Sequence, residues 1–183
     1  MKKIIPVVFS LALCLQLSAQ KKYYTKTGQI YFDAGTGIED INATNKSVSS
    51  VLDAATGQMD FGLLIKGFEF KNQLMEDHFH ENYMDTKDFP KSGFKGKILQ
   101  FEKLNLAKDG TYSVKVKGIL ELHGVKKEVE ADGTIVVKGD KIKAQSNFTI
   151  NMADFKIEIP KLVKDKLAST AKIVVNCQYT VLN

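Results

Sequence analysis

Three features of the sequence predict an all-β fold, in which about eight long antiparallel strands close into a barrel flanked or capped by one short helix. Apolar and polar residues alternate with a period close to two over most of the chain; the alternating runs are long; and a single helix-patterned segment, Phe68 to Pro90, interrupts them. A strand with one apolar face must hide it, and many such strands hide all their faces at once by curling into a tube with an apolar inside.

The first nineteen residues stand apart from this pattern. Lys2 and Lys3 form a basic start, Ile4 to Leu17 an apolar stretch, and Leu17-Ser18-Ala19 a cleavage site, the layout of a secretory leader. Cys14 lies in the apolar stretch, but a lipidated leader requires a small residue where Leu13 stands. The expectation is a cleaved leader over 1–19 and one domain over 20–183, placed in the periplasm or secreted. A chain of roughly 160 residues is enough for one substantial core. No later run is long and apolar enough to span a bilayer, so no integral membrane segment is expected after cleavage.

The formal charge of +5 falls by two when the leader leaves, and the remaining lysines are scattered singly along strands. Such a solvated basic surface is not a nucleic-acid patch, and no nucleic-acid partner is expected. Cys177 is the only cysteine beyond the leader, so the core holds without an intrachain disulfide.

Strands are read over Tyr23 to Ala34, Glu39 to Asp53, and from Met59 onward, with turn chemistry at Thr56-Gly57. Met59, Phe61, Leu63 and Ile65 share a face, and the apolar phase then jumps to Phe68 and Phe70, a one-residue slip at Gly67 that predicts a β-bulge. A further strand covers Phe94 to Leu104, ended by Lys108-Asp109-Gly110. Tyr112, Val114, Val116, Leu120 and Leu122 then face one way, with Ile119 alone among the polar residues opposite. Val125, Val129, Ala131, Gly133, Ile135 and Val137 keep one phase up to a turn at Lys138 to Lys141; Asp132-Gly133 is an alternative hairpin tip, which leaves the count open by one strand. The last two segments place Ile142, Ala144, Ser146, Phe148, Ile150 and Met152, and then Ala171, Ile173, Val175, Cys177, Tyr179 and Val181, on the inner face. Cys177 there reads as a small buried hydrophobe in preference to a reactive thiol.

The helix is expected over about 72–84, with Asn72 as its N-cap and Pro90 marking the return to extended chain. Leu74, Met75, His78, Phe79 and Tyr83 fall near one stripe. Two roles stay open for it: a plug against the barrel, or a gate in which Met75, Phe79 and Tyr83 touch a ligand.

Catalytic and metal chemistry find little footing. His78 and His80 point apart on a helix, and His80-Glu81 opens like a zinc-protease motif only to meet Met84 where a second histidine is required. No metal or cofactor is expected. A Gly-x-Ser-x-Gly elbow and a phosphate-cradling glycine loop are both missing, and the carboxylates Asp154 and Glu158 show no catalytic spacing, so the chain is not read as an enzyme.

Four motifs in order carry a resemblance. Gly28-Gln-Ile-Tyr-Phe32 stands near the start; Asp88-Phe-Pro-Lys-Ser-Gly-Phe94 closes the helix region; Gly118-Ile-Leu-Glu-Leu-His-Gly-Val-Lys-Lys127 forms a hairpin; and Asp154-Phe-Lys-Ile157 follows an alternating strand. Together they make the mature chain resemble the YceI-like family of secreted lipid- or polyisoprenoid-binding proteins. The resemblance implies an extended lipocalin-like antiparallel barrel holding a long isoprenoid or acyl lipid, such as a polyisoprenoid, an isoprenoid quinone, or a fatty acid or amide. Met75-Glu-Asp-His-Phe-His80 stands where many members carry Arg-Asp, so a polar headgroup contact does not carry over.

Expected lining residues are Phe61, Leu63, Ile65, Phe148, Ile150, Met152, Ile173, Val175, Cys177 and Tyr179, with Met75, Phe79 and Tyr83 at the entrance. The alternative is a barrel filled by its own side chains that serves as a stress-response or interaction module. A homodimer is left open, because closure of a barrel hides the edges from which pairing would be read.

Overall fold

The computed structural model describes residues 21–182. The leader read at 1–19, Cys14 with it, lies outside the described residues. The strands are β1 (Lys22–Gly35), β2 (Asn42–Asp53), β3 (Gln58–Leu64), β4 (Phe68–Phe70), β5 (Lys91–Ile98), β6 (Gly110–Leu122), β7 (Val125–Lys138), β8 (Lys141–Asn151) and β9 (Leu167–Leu182), with one helix, α1 (Gln73–His78). Each neighbour is antiparallel, and β1 pairs with both β2 and β9, so the sheet closes on itself. The very short β4 continues the course of β3: β2 meets β3 at Ser49–Leu52 and β4 at Ala43–Asn45. The result is the expected closed eight-strand barrel.

The phase slip after Ile65 is real, but its form differs from the expected bulge. Ile65–Gly67 winds into a 3₁₀ turn, and the side chain of Asn45 on β2 fills the ladder gap that it leaves. Its Nδ2 donates to the carbonyl of Leu64 at 2.9 Å, and its Oδ1 accepts from the Ser47 amide at 2.9 Å. A Cβ at Gly67 would come within 2.7 Å of that Nδ2, so glycine is required by the close approach.

Asn72 caps α1 as expected, its Oδ1 accepting from the amides of Leu74 (2.9 Å) and Met75 (3.4 Å). The helix then loosens into a π turn over Phe79–Tyr83. Other boundaries move. β2 starts at Asn42, three residues past Glu39, and the strand expected to reach Leu104 stops at Ile98, because Gln100 turns left-handed (φ 52°) before a 3₁₀ turn at Phe101–Lys103. Met152 leaves β8 for a 3₁₀ turn, Met152–Phe155.

The hairpin tip lies at His123-Gly124, where both residues have positive φ (50° and 70°), the geometry of a two-residue hairpin turn. Asp132-Gly133 is interior to β7, opposite Lys115 and Val114. Charge pairs fix this register: Lys117 with Glu128, Lys115 with Glu130 and Asp132, and Lys126 with Glu121.

Besides the free edge of β4, the wall between β7 and β8 lacks a ladder over part of its length. β7 pairs with β8 only from Gly133 to Lys138, so Val125–Asp132 and Asn147–Asn151 face each other without strand pairing. The Met152–Phe155 turn wedges there, with Phe155 and Met152 buried. Lys127 Nζ meets Asp154 at 2.8 Å, and His123 Nδ1 donates to the Phe155 carbonyl at 3.0 Å.

Candidate ligand-binding site

The barrel interior divides into a packed end and a hollow end. At the packed end, near Lys22, Asp53 and Leu182, the inner face carries Tyr23, Leu52, Met59, Ile98, Ile135, Ile142, Cys177 and Tyr179, all buried. Tyr179 of β9 and Ser50 of β2 share a buried hydrogen bond of 2.8 Å over the inner face of β1, the strand between them. Burial pushes the Cys177 thiol up to about 11 and raises the Tyr179 phenol further. A thiol held in its neutral form suits the reading of Cys177 as a small buried hydrophobe.

At the other end lie two cavities. The larger, about 270 Å³, sits beneath α1 and the segment between β8 and β9. The smaller, about 120 Å³, lies deeper, against β3 and β5 to β8. Ile30, Leu63, Ser92, Leu120 and Phe148 border both, so the two chambers adjoin, with these residues between them.

Four phenylalanines build the roof of the large chamber. Phe79 stacks on Phe32 (ring centroids 5.3 Å apart, planes 21° apart) and meets Phe68 and Phe70 at 5.7 and 5.0 Å. They tie the π turn to β1 and β4, each pair adding to the stability that burial alone supplies. Polar side chains in the chamber wall are few. Glu39 and Lys166 form an ion pair of 3.2 Å at the rim, His78 is exposed on α1, and Ser92 is occupied, donating to the Glu121 carbonyl at 2.7 Å. Tyr83 borders the same rim, and burial raises its phenol.

Of the residues expected to line the lumen, Leu63, Ile65, Phe148, Ile150, Met152 and Ile173 border the large chamber, as do the entrance residues Met75, Phe79 and Tyr83. Phe61 and Val175 border the small chamber. Cys177 and Tyr179 border neither, because they fill the packed end. The sequence reading omitted Phe32, Phe68 and Phe70, although their alternation was visible. It also omitted Ile157 and Val163, which come from a segment with no period to betray them, and Leu167, the first residue of β9.

Among the described residues, no group of three or more His, Cys, Asp or Glu side chains is placed to hold a metal ion. His80 turns inward, its Nδ1 3.2 Å from Thr86 Oγ1, and desolvation lowers its pKa. Among the described residues, no helix is long and apolar enough to cross a membrane.

The family model for the YceI-like domain matches residues 22–179. Among solved structures, a polyisoprenoid-binding domain from Saccharophagus degradans implicated in plant cell wall breakdown is 14% identical; the match covers 89% of this chain and 99% of that one, with a TM-score of 0.76. BcnA of Burkholderia cenocepacia is 15% identical over 84% of this chain and 96% of its own, with a TM-score of 0.68. The Campylobacter jejuni YceI protein is 21% identical over 79% and 86%, with a TM-score of 0.57. At these identities the likeness is one of fold. The search of curated proteins gave no match.

Proposed function

The chain belongs to the YceI-like domain family, and from that premise we propose that it binds an amphiphile with a long apolar tail, a polyisoprenoid, isoprenoid quinone or fatty acid or amide, and acts as a carrier or sequestering protein in the periplasm or outside the cell. The observation that carries this reading is the pair of adjoining apolar chambers whose charged groups stand only at the rim. A tail entering them leaves water at a gain of about 0.8 kcal/mol for each buried CH₂, so affinity needs few polar contacts. The structure of the S. degradans domain, described as polyisoprenoid-binding, supports the same ligand class.

The ligand's course follows from what is filled. Tyr23, Leu52 and Tyr179 block the packed end, so the tail enters beneath α1 and bends past Phe148 toward β6 and β7. Its head stays near Glu39, Lys166 and His78. Leu63, Ile65, Ile150, Ile173, Met75, Phe79 and Tyr83 would contact the first part of the tail, and Phe61 and Val175 the last. The role is binding without turnover.

The test is mass spectrometry of an organic extract of the mature protein, purified without detergent from its host's envelope fraction. A stoichiometric prenyl or acyl compound is the expected result. An empty protein that also takes up no added quinone or fatty acid would defeat the proposal and favour a module acting through its surface.

A further inference from the structure

Among the described residues, three of the six exposed large apolar side chains, including the most exposed, stand around the chamber mouth. Leu162 is 93% exposed, Ile38 69% and Leu74 61%. Leu162 tops the 3₁₀ turn Lys161–Val163 between β8 and β9, Ile38 the loop between β1 and β2, and Leu74 the first turn of α1. The first two elements are joined: the Thr36 amide donates to the Lys166 carbonyl at 3.1 Å, the Thr36 hydroxyl donates to the Asp165 carbonyl, and Glu39 pairs with Lys166. All three border the large chamber, through Val163 and Lys166, through Glu39, and through Met75 and His78.

Building on the lipid-carrier reading, we propose that this rim is a membrane-docking surface, with Leu162 as the side chain that enters the bilayer. A single exposed leucine needs no explanation, but three around the one mouth through which a water-insoluble tail must pass do. Charge selects the partner and the tilt. Leu162 stands between Lys161 and Lys164; these two with Lys156 outnumber Glu158 and Asp165 of the same segment, and none of the five has an ion-pair partner among the described residues. An apolar tip flanked by lysines matches an interface of acyl chains below anionic headgroups. The α1 side of the rim carries Glu76, Asp77 and Glu81 instead, so the molecule leans with the Lys161–Val163 turn foremost. Val163, next to the inserted leucine, lines the chamber, and the tip thus sits directly beside the route that the tail takes.

The test is co-sedimentation with phosphatidylethanolamine vesicles containing phosphatidylglycerol. Wild type is compared with Leu162→Asp, Ile38→Asp and, at the opposite end of the barrel, Leu182→Asp, whose leucine is 47% exposed. Wild type and Leu182→Asp are expected to sediment alike, Leu162→Asp to lose at least about tenfold in partitioning, and Ile38→Asp to lose less. A wild type that stays in the supernatant, or four proteins that sediment equally, would overturn the proposal. Binding of the apolar dye N-phenyl-1-naphthylamine, read in parallel, separates docking from cargo. Leu162→Asp should take up the dye as wild type does, and losing it along with the vesicles would mean a damaged chamber and overturn the proposal. Wild type that sediments but takes up no dye would support docking and count against the lipid cargo.

Discussion

The two ends of the barrel interior are written in the same alternating code and come out differently. On β9, Ala171 and Ile173 face the hollow end while Cys177 and Tyr179 face the packed one, four inward positions of a single strand. The difference lies in what stands across the lumen. At the packed end, Tyr23, Leu52, Met59 and Ile135 converge, and the Tyr179 hydroxyl reaches over β1 to Ser50. At the hollow end the strands are held apart by α1 and the Met152–Val163 segment, which roof a space that they do not fill. Periodicity tells a residue which way to face, and the summed volume of facing side chains decides whether a lumen remains.

The largest test of this contrast is Tyr179→Ala. It removes a buried ring and leaves the Ser50 hydroxyl without its partner, and should destabilise the fold by about 3–5 kcal/mol in urea titration. A loss below about 1 kcal/mol would mean that the packed end is not close-packed. Next comes a matched pair of enlargements. Cys177→Leu, at a fully buried site where Gly28 lies too close for even a Cβ to clear the sulfur, should cost about 1–3 kcal/mol. Ala171→Leu projects into the large chamber and should be close to neutral in stability while reducing uptake of an apolar dye. Equal penalties at the two sites would erase the distinction.

The two ends should also respond to opposite pH excursions. Cys177 and Tyr179 have folded pKa values raised by burial, so the unfolded chain loses these protons first. Their contribution is intact below pH 9 and is lost as pH rises from there through about 11, measured as a falling urea midpoint. His80, near the helix, has its pKa lowered by desolvation, so the unfolded chain gains this proton first. Stability from His80 is present above its ordinary value of 6.5 and declines as pH falls through the folded value, and His80→Asn should flatten that acid limb. The smallest effect is expected at Lys143, exposed on the outer face of β8, where Lys143→Ala should stay within about 0.5 kcal/mol of wild type.

The barrel and its strands were legible because a half-buried strand shows its period in few residues, and the helix because Asn72 and the Met75–Phe79 spacing mark its start and its face. The Ile65–Phe68 phase jump was also legible. That it would be a 3₁₀ turn depended on Asn45, distant in sequence, reaching the orphaned Leu64 carbonyl. Asp132-Gly133 is the better turn former by residue type, and the charges paired across β6 and β7 favour the tip at His123-Gly124 instead. The site was legible in outline. Its inner-face residues followed from alternation, but the depth at which filling stops did not, so Cys177 and Tyr179 were grouped with residues that border space. Ile157 and Val163 stayed hidden because their segment is irregular, and an irregular chain buries residues by tertiary fit alone; Leu167 opens β9 ahead of the run from Ala171 that was read as inward.

The unladdered stretch between β7 and β8 gives the lumen an uneven compliance. Where the ladder is continuous, as between β6 and β7, widening the tube means breaking rows of backbone hydrogen bonds together. Here it means moving the Met152–Phe155 turn, held by the burial of Met152 and Phe155 and tied to the hairpin by one ion pair and one histidine hydrogen bond. Val129, Ala131 and Phe148 of the small chamber flank this stretch, so the smaller chamber rests on a wall without a ladder. For the proposed lipid cargo, this would let tails of different girth be housed by displacing a plug, with the hoop of the barrel left closed.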